Sequence, residues 1–237
     1  MIMENVKHIF KKEFKAYFLS PIAYIVISVF LVIIGWLFFS TFFLDRQASL
    51  TRFFSLLPVT FAFIIPAVTM RLFSEEINVG SYELLLTLPV SFKEIILGKF
   101  AAAVAFVGVM LSPTLIYAIS ISFLGDLDWG PVVGGYVGAL LLGSSFCAIG
   151  LLASCLTRNQ VVAFIIGMAI CFSLTLLIDF VLFFLPSFLV GIFQYLSANF
   201  HFQNISKGVL DTRDLLYFIL LSFVALYTTN LIMQEKK

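Results

Sequence analysis

The sequence predicts an all-α, polytopic membrane protein with six transmembrane helices, and three observations lead there. Hydrophobic residues make up 62% of the chain, charged residues only 11%, and the mean hydropathy is +1.11. A soluble domain carries about 25% charged residues, so this chain cannot cover a water-facing surface. Its 237 residues divide into long apolar runs with short polar connections. At about 20 residues per helical span, there is room for six spans and none for a separate soluble domain. The net charge of +1 decides nothing, because in membrane proteins the placement of charge carries the information.

Residues 1–20 come first, and from residue 4 they read as an amphipathic interfacial helix. Lys7, His8, Lys11 and Lys12 share one half of a helical wheel, and Val6, Ile9, Phe10, Phe14 and Tyr17 share the other. Such a helix rests its apolar face on lipid with lysines toward the headgroups. Glu13 does not fit, since it falls in the apolar half. Either it reaches water by snorkelling, or this edge meets a partner in place of lipid. The first apolar run follows Lys15, is longer than a signal-peptide core and lacks a cleavage site, so it is expected to be retained as a span.

The expected spans are 22–44, 53–71, 95–124, 132–156, 160–184 and 213–233. Orientation follows from lysine and arginine. One side collects Lys7, Lys11, Lys12, Lys15, Arg71, Lys93, Lys99, Arg158, Lys236 and Lys237, and the other Arg46, Arg52, Lys207 and Arg213. Ten against four, of 14 in all, places both termini in the cytoplasm. The polar insert at about 72–93 then lies in the cytoplasm, and Asp126 and Asp128 lie outside.

Within the fourth span, Gly135, Ala139, Gly143 and Cys147 form a ridge of small residues, with Gly134 and Gly138 in an adjacent row. Small residues let helix backbones approach closely in lipid. Tight packing within the subunit is the preferred reading, ahead of a dimer interface. The segment 185–212 is too long to finish one span and too short to make another. It reads as an outer re-entrant hairpin whose non-helical backbone protein or water must satisfy. Asp179 is the acidic residue deep in an apolar run. An ion or proton relay is one role, but it has no intramembrane Lys, Arg or His partner in the sequence, so a wetted helix end or a cap on the re-entrant hairpin is preferred.

Catalytic signatures do not appear. Gly98-Lys99 is preceded by Lys93 where a phosphate loop needs glycine, and followed by Phe100 where it needs serine or threonine. His8 and His201 lie in separate regions, and no metal-ligand spacing occurs. Cys147, Cys155 and Cys171 fall inside apolar runs and read as packing residues. Asn204-Ile205-Ser206 matches a glycosylation sequon, a pattern too short to carry weight.

The stretch Met70-Arg71-Leu72-Phe73-Ser74-Glu75-Glu76-Ile77-Asn78-Val79-Gly80-Ser81-Tyr82-Glu83-Leu84-Leu85-Leu86-Thr87-Leu88-Pro89-Val90-Ser91, continued through Phe92-Lys93-Glu94-Ile95-Ile96-Leu97-Gly98-Lys99-Phe100, resembles the signature between the second and third spans of ABC-2 type transporter permeases. Three further passages agree: Lys11-Lys12-Glu13-Phe14 with Ser20-Pro21, Asn159 through Phe164, and His201-Phe202 with Gly208 through Asp214. Within that superfamily the chain is most similar to gliding-motility-associated permeases of Bacteroidetes. It departs from many members at Ile77-Asn78-Val79 and Ser81-Tyr82, where they carry basic residues and threonine.

The resemblance implies a six-span subunit in the bacterial inner membrane, used in pairs, with residues 1–20 as an elbow helix and residues 21–237 as the transmembrane domain. It implies a separate cytosolic ABC ATPase, which holds the ATP and Mg2+. On that reading this chain would bind no cofactor or metal, would not itself be an enzyme and would take no nucleic acid. Its further partners would be membrane lipid, a second permease copy or a related permease, and an extracytoplasmic accessory protein. The insert becomes a coupling helix, with Arg71, Glu75, Glu76, Gly80, Glu83, Leu84, Leu85 and Pro89 as its site residues. Glu75, Glu76 and Glu83 are expected to face water, with Glu76 and Glu83 on one helical face, while Leu84, Leu85 and Leu86 anchor the element and Pro89 stops it. Lys11, Lys12, Glu13 and Phe14 mark the interfacial helix, and His201, Asp211 and Arg213 the outer re-entrant region. The function implied is the membrane permease of an ATP-driven exporter, in gliding motility or secretion. A non-transporting subunit that relays ATPase force to an extracytoplasmic machine would use the same insert. A secondary transporter would want paired intramembrane ionisable residues or inverted repeats of broken helices, and neither is read here.

Overall fold

The computed structural model describes residues 2–45, 49–80, 90–182, 184, 186–209 and 211–235. Six helical segments are long and apolar enough to cross a membrane: Pro21–Ser40, Thr51–Val79, Phe92–Ser122, Trp129–Leu156, Gln160–Leu182 and Thr212–Glu235. They match the six expected spans, and no strand occurs among the described residues. The helices are α1 (Ile2–Leu19), α2 (Pro21–Asp45), α3 (Thr51–Thr69), α4 (Arg71–Val79), α5 (Phe92–Leu111), α6 (Leu115–Ser122), α7 (Trp129–Leu156), α8 (Gln160–Phe172), α9 (Ile178–Leu182), α10 (Ser187–Gln194), α11 (Ala198–Ser206) and α12 (Thr212–Glu235).

The fourth span, α7, is the axis of the bundle. Of its apolar stretch 72% is buried, against 22% for the first span and 28% for each of the fifth and sixth. Small residues make this possible. A Cβ at Gly135 would collide with the Phe54 ring, and one at Gly143 would sit 2.8 Å from Val107. Gly138 faces Phe202 and Ile205 of α11. At Gly150 a Cβ would strike Thr69 Oγ1, whose hydrogen bond to the Ile65 carbonyl at 2.9 Å holds it against α3. Both rows of small residues thus meet neighbours of the same chain, as packing within the subunit requires. The three cysteines are buried among these helices.

Two spans change helical form partway. The third passes through a 3₁₀ turn, Ser112–Thr114, where Pro113 removes a backbone donor. The fifth passes through a π turn, Ser173–Leu177, where Thr175 Oγ1 donates to the Cys171 carbonyl at 3.0 Å. Helix starts are capped by short polar side chains. Asn159 Oδ1 accepts from Val161 N at 2.9 Å, and Asp128 Oδ1 from Gly130 N at 3.0 Å. Ser91 and Glu94 form a reciprocal capping box that starts α5.

The N-terminal helix departs from expectation. Its apolar edge rests on α5 as well as facing outward: a Cβ at Gly98 would lie 2.7 Å from Ile9 Cγ2, and the Tyr17 and Phe106 rings stack at 5.0 Å. Phe14 stacks between Phe10 and Phe18 along the same edge. A lone amphipathic helix can lie on lipid, but here a glycine in α5 lets the two helices approach closely enough to bury the edge in protein.

The outer re-entrant region is also more regular than expected. Two short helices, α10 and α11, take the place of irregular backbone, so most backbone groups are satisfied locally.

Candidate functional site

Where α1, α4 and α5 meet, Lys99 is buried. Its side chain is 2% exposed, an unusual place for an ammonium. The three N–H donors of Nζ all find acceptors: Glu13 Oε1 at 3.1 Å, Glu76 Oε1 at 2.7 Å and the Leu72 carbonyl at 2.8 Å. The ammonium also lies 5.3 Å from the centre of the Phe73 ring. The acceptors come from two other elements. Glu13 belongs to the N-terminal helix, Leu72 and Glu76 belong to the extension of the second span, and Lys99 itself sits two turns into the third.

The extension α4 is held from other directions as well. Thr51–Val79 runs as one long helical segment, broken only by a turn at Met70. The first turn of a helix leaves backbone N–H groups without partners. Ser154 Oγ of α7 accepts from Phe73 N at 2.8 Å and Ser74 N at 3.0 Å, which fills that need. Arg71 lies over the Tyr17 ring of α1, 5.4 Å from its centre. Tyr17 is buried, its hydroxyl has no hydrogen-bond partner among the described residues, and burial pushes the phenol well above its ordinary range. A crevice of about 360 Å3 opens beside this cluster, bordered by Lys12, Glu13, Arg71, Glu75, Glu76 and Lys99.

The sequence-derived site residues divide accordingly. Glu75 is exposed, as expected. Glu76 is not a water-facing contact: its carboxylate is 18% exposed and turned onto Lys99. Glu13 takes the partner-meeting role, and the partner is in its own chain. Lys11 and Lys12 are exposed, and Lys12 Nζ lies 3.9 Å from Glu13 Oε1. Gly80 adopts φ 77°, a left-handed cap that suits glycine and ends α4. Glu83, Leu84, Leu85, Leu86 and Pro89 lie outside the described residues, as do Arg46, Lys236 and Lys237 of the charge count.

At the opposite end of the bundle, His201 of α11 is 3% exposed. Its Nδ1 lies 2.5 Å from Asp214 Oδ1 of α12, and its Nε2 lies 2.9 Å from the Tyr195 carbonyl. The Tyr195 carbonyl can only accept, so Nε2 carries the hydrogen in that bond and Nδ1 meets the Asp214 carboxyl. Tyr217 stacks on the imidazole at 4.2 Å and donates to the Leu196 carbonyl at 2.7 Å. Asp179 accepts from Ser197 Oγ and Asn199 Nδ2, each at 2.6 Å. These bonds tie the end of the fifth span to the start of α11, as the cap reading expects. Asp211 accepts from Arg213 N at 2.9 Å at the start of α12, and Arg213 itself is exposed.

Ser154, Asp214 and Tyr217 were not legible as site residues, and Lys99 entered only as a charge on one side of the membrane, a rejected phosphate-loop lysine and part of the quoted signature. The available signal for Lys99 was the misfit of Glu13, an acid on an apolar edge, which called for a cation on whatever packs against that edge.

The family described as ABC-2 family transporter protein matches residues 8–232 of the chain. No curated protein matches it.

Removing one member of a buried ion pair strands the other. Lys99→Met leaves two carboxylates facing one another, and a full loss of this kind costs about 3–5 kcal/mol. Because Glu13 and Glu76 are partly wet, the low end applies. The variant should melt well below the parent in detergent, and the triple change Lys99→Met, Glu13→Gln, Glu76→Gln should recover part of the loss. Equal melting temperatures for parent and Lys99→Met would show that the cluster carries no stability.

Proposed function

Since the chain belongs to the ABC-2 family of transporter proteins, we propose that it is the membrane permease subunit of an exporter driven by a separate cytosolic ABC ATPase. The observation that carries this reading is the Lys99 cluster. A soluble motor can move a membrane bundle only through an element stiff enough to transmit force. The α4 extension continues the second span, is pinned to the third by Lys99 and to the N-terminal helix by Glu13, and has its backbone held by Ser154 of the fourth. Displacement applied to the segment beyond Gly80 then reaches three spans together. The ATP and Mg2+ stay with the ATPase.

The lysine and arginine asymmetry supports placing this end in the cytoplasm of a bacterial inner membrane, with both termini there. The resemblance puts a second permease copy against the first and fifth spans, which are 22% and 28% buried, while the sixth is equally open at 28%. The setting in gliding motility rests on the quoted passages alone. Reporters fused at Lys237 and at Asp126 should mark opposite compartments, and the intact complex should contain two permease copies. One shared compartment, or a complex with a single permease copy, would contradict these assignments.

The coupling reading is tested in the insert. Glu83→Lys reverses a charge available to an arginine or lysine of the ATPase, and Leu85→Asp removes an apolar anchor. Loss of a desolvated charge partner costs about 2–5 kcal/mol of binding, so each variant should reduce ATPase co-purification at least tenfold while the permease remains in the membrane fraction. Normal recovery and normal stimulation of the ATPase with both variants would overturn the assignment.

A further inference from the structure

On the outer wall of the bundle, α5 and α12 leave a trough between them, lined by the face of α5 that carries Lys93, Leu97, Phe100 and Val104 and not by Lys99. We propose that this trough binds an anionic phospholipid, with the phosphate at Lys93 and one acyl chain running along α12. The inference does not rest on coupling to an ATPase.

The end of the trough nearest the start of α5 is polar. Lys93, Tyr227, Asn230 and Gln234 line a space of about 550 Å3, in which Lys93 is the one charge among the described residues. Lys93 is exposed and makes no ion pair among the described residues. Asn230 is only 9% exposed, and its Oδ1 has no hydrogen-bond partner among the described residues. A buried amide oxygen without a donor is costly, and other atoms of Asn230 line the trough. Turned about its last torsion, the amide presents either its oxygen or its nitrogen to a headgroup.

With depth the trough becomes apolar. Phe223 and Leu226 lead into a second space of about 630 Å3, walled by Val104, Ala105 and Ile219. The hydroxyls that reach this part are already satisfied by protein: Ser144 Oγ donates to the Leu141 carbonyl at 2.7 Å and Ser222 Oγ to the Phe218 carbonyl at 2.8 Å. Nothing polar here calls for a ligand group. An extended polypeptide segment would bring backbone N–H and C=O groups against Val104 and Ala105 with no partners, whereas an acyl chain brings none.

The length also suits a lipid. From Ile219 to Asn230 the α12 backbone rises roughly 16 Å. One leaflet's hydrocarbon is about 15 Å deep, half of a 30 Å core. A headgroup held at Lys93 thus sits at the membrane interface while its chain follows the trough to mid-bilayer.

The purified chain in mild detergent is titrated with dioleoyl phosphatidylglycerol or dioleoyl phosphatidylcholine, and bound lipid is counted by native mass spectrometry. One lysine near a headgroup favours the anionic lipid by about fivefold. Lys93→Gln should bring phosphatidylglycerol down to the level of phosphatidylcholine, and Ala105→Trp, which fills the tail of the trough, should lower both. Equal retention of the two lipids by the parent chain would overturn the proposal, as would wild-type retention of phosphatidylglycerol by either variant. Lys93→Gln lies at an exposed position, so that arm decides the matter if Ala105→Trp does not fold.

Discussion

A buried ammonium must spend its three N–H bonds inside the protein, and the position of α4 depends on how Lys99 does so. Taking an ion out of water costs several kcal/mol, and only well-placed partners offset it. Lys99 finds two carboxylates and a carbonyl within 3.1 Å. Those acceptors come from α1 and α4, so neither helix can shift on α5 without leaving a charge stranded. The pair of carboxylates has the same dependence in reverse, since Glu13 and Glu76 approach one ammonium from opposite helices. This geometry favours motion of the three elements as a unit over motion of any one alone.

The rest of the bundle supports that junction by close packing around α7. In a membrane the hydrophobic effect does not hold helices together, so contact distance has to. The glycines of α7 bring α3, α5 and α11 near its backbone, and its last turns present Ser154 to the start of α4. At the far end, Asp179 and Asp214 bind the α10–α11 hairpin to the fifth and sixth spans through Ser197, Asn199 and His201. Both ends of the axis are thus closed by side-chain polar contacts, one centred on a lysine and one on a histidine.

The fold was almost fully legible in the sequence because its signals are local. A span announces itself by about twenty apolar residues, whereas the caps at Ser91 and Asn159 and the helix end at Gly80 came only with the structure. The preference for packing within the subunit followed from the same logic and holds for both small-residue rows. The site was legible only in part, because its partners are distant in sequence. Glu13 and Lys99 are 86 residues apart, and Glu76 and Lys99 are 23 apart. A helical wheel shows that Glu13 is misplaced on an apolar edge but not which cation answers it. For Glu76 the wheel misleads, since an acidic residue beside exposed Glu75 reads as solvated until α5 is placed against it. Asp179 was readable as a helix-end or cap residue from its lack of a charged partner, while Ser197 and Asn199 became its donors only once α11 had folded back.

The central claim is that Lys99 fixes the N-terminal helix and α4 as one body. The direct measurement is the distance between spin labels at Ala16 and Val79, which border the crevice on α1 and α4. Labelling can be confined to these positions because the three native cysteines are buried. In reconstituted protein the parent should give a single narrow distance distribution, and Lys99→Met should broaden it or add a second, longer population. Distributions of the same width and centre in parent and variant would contradict the claim.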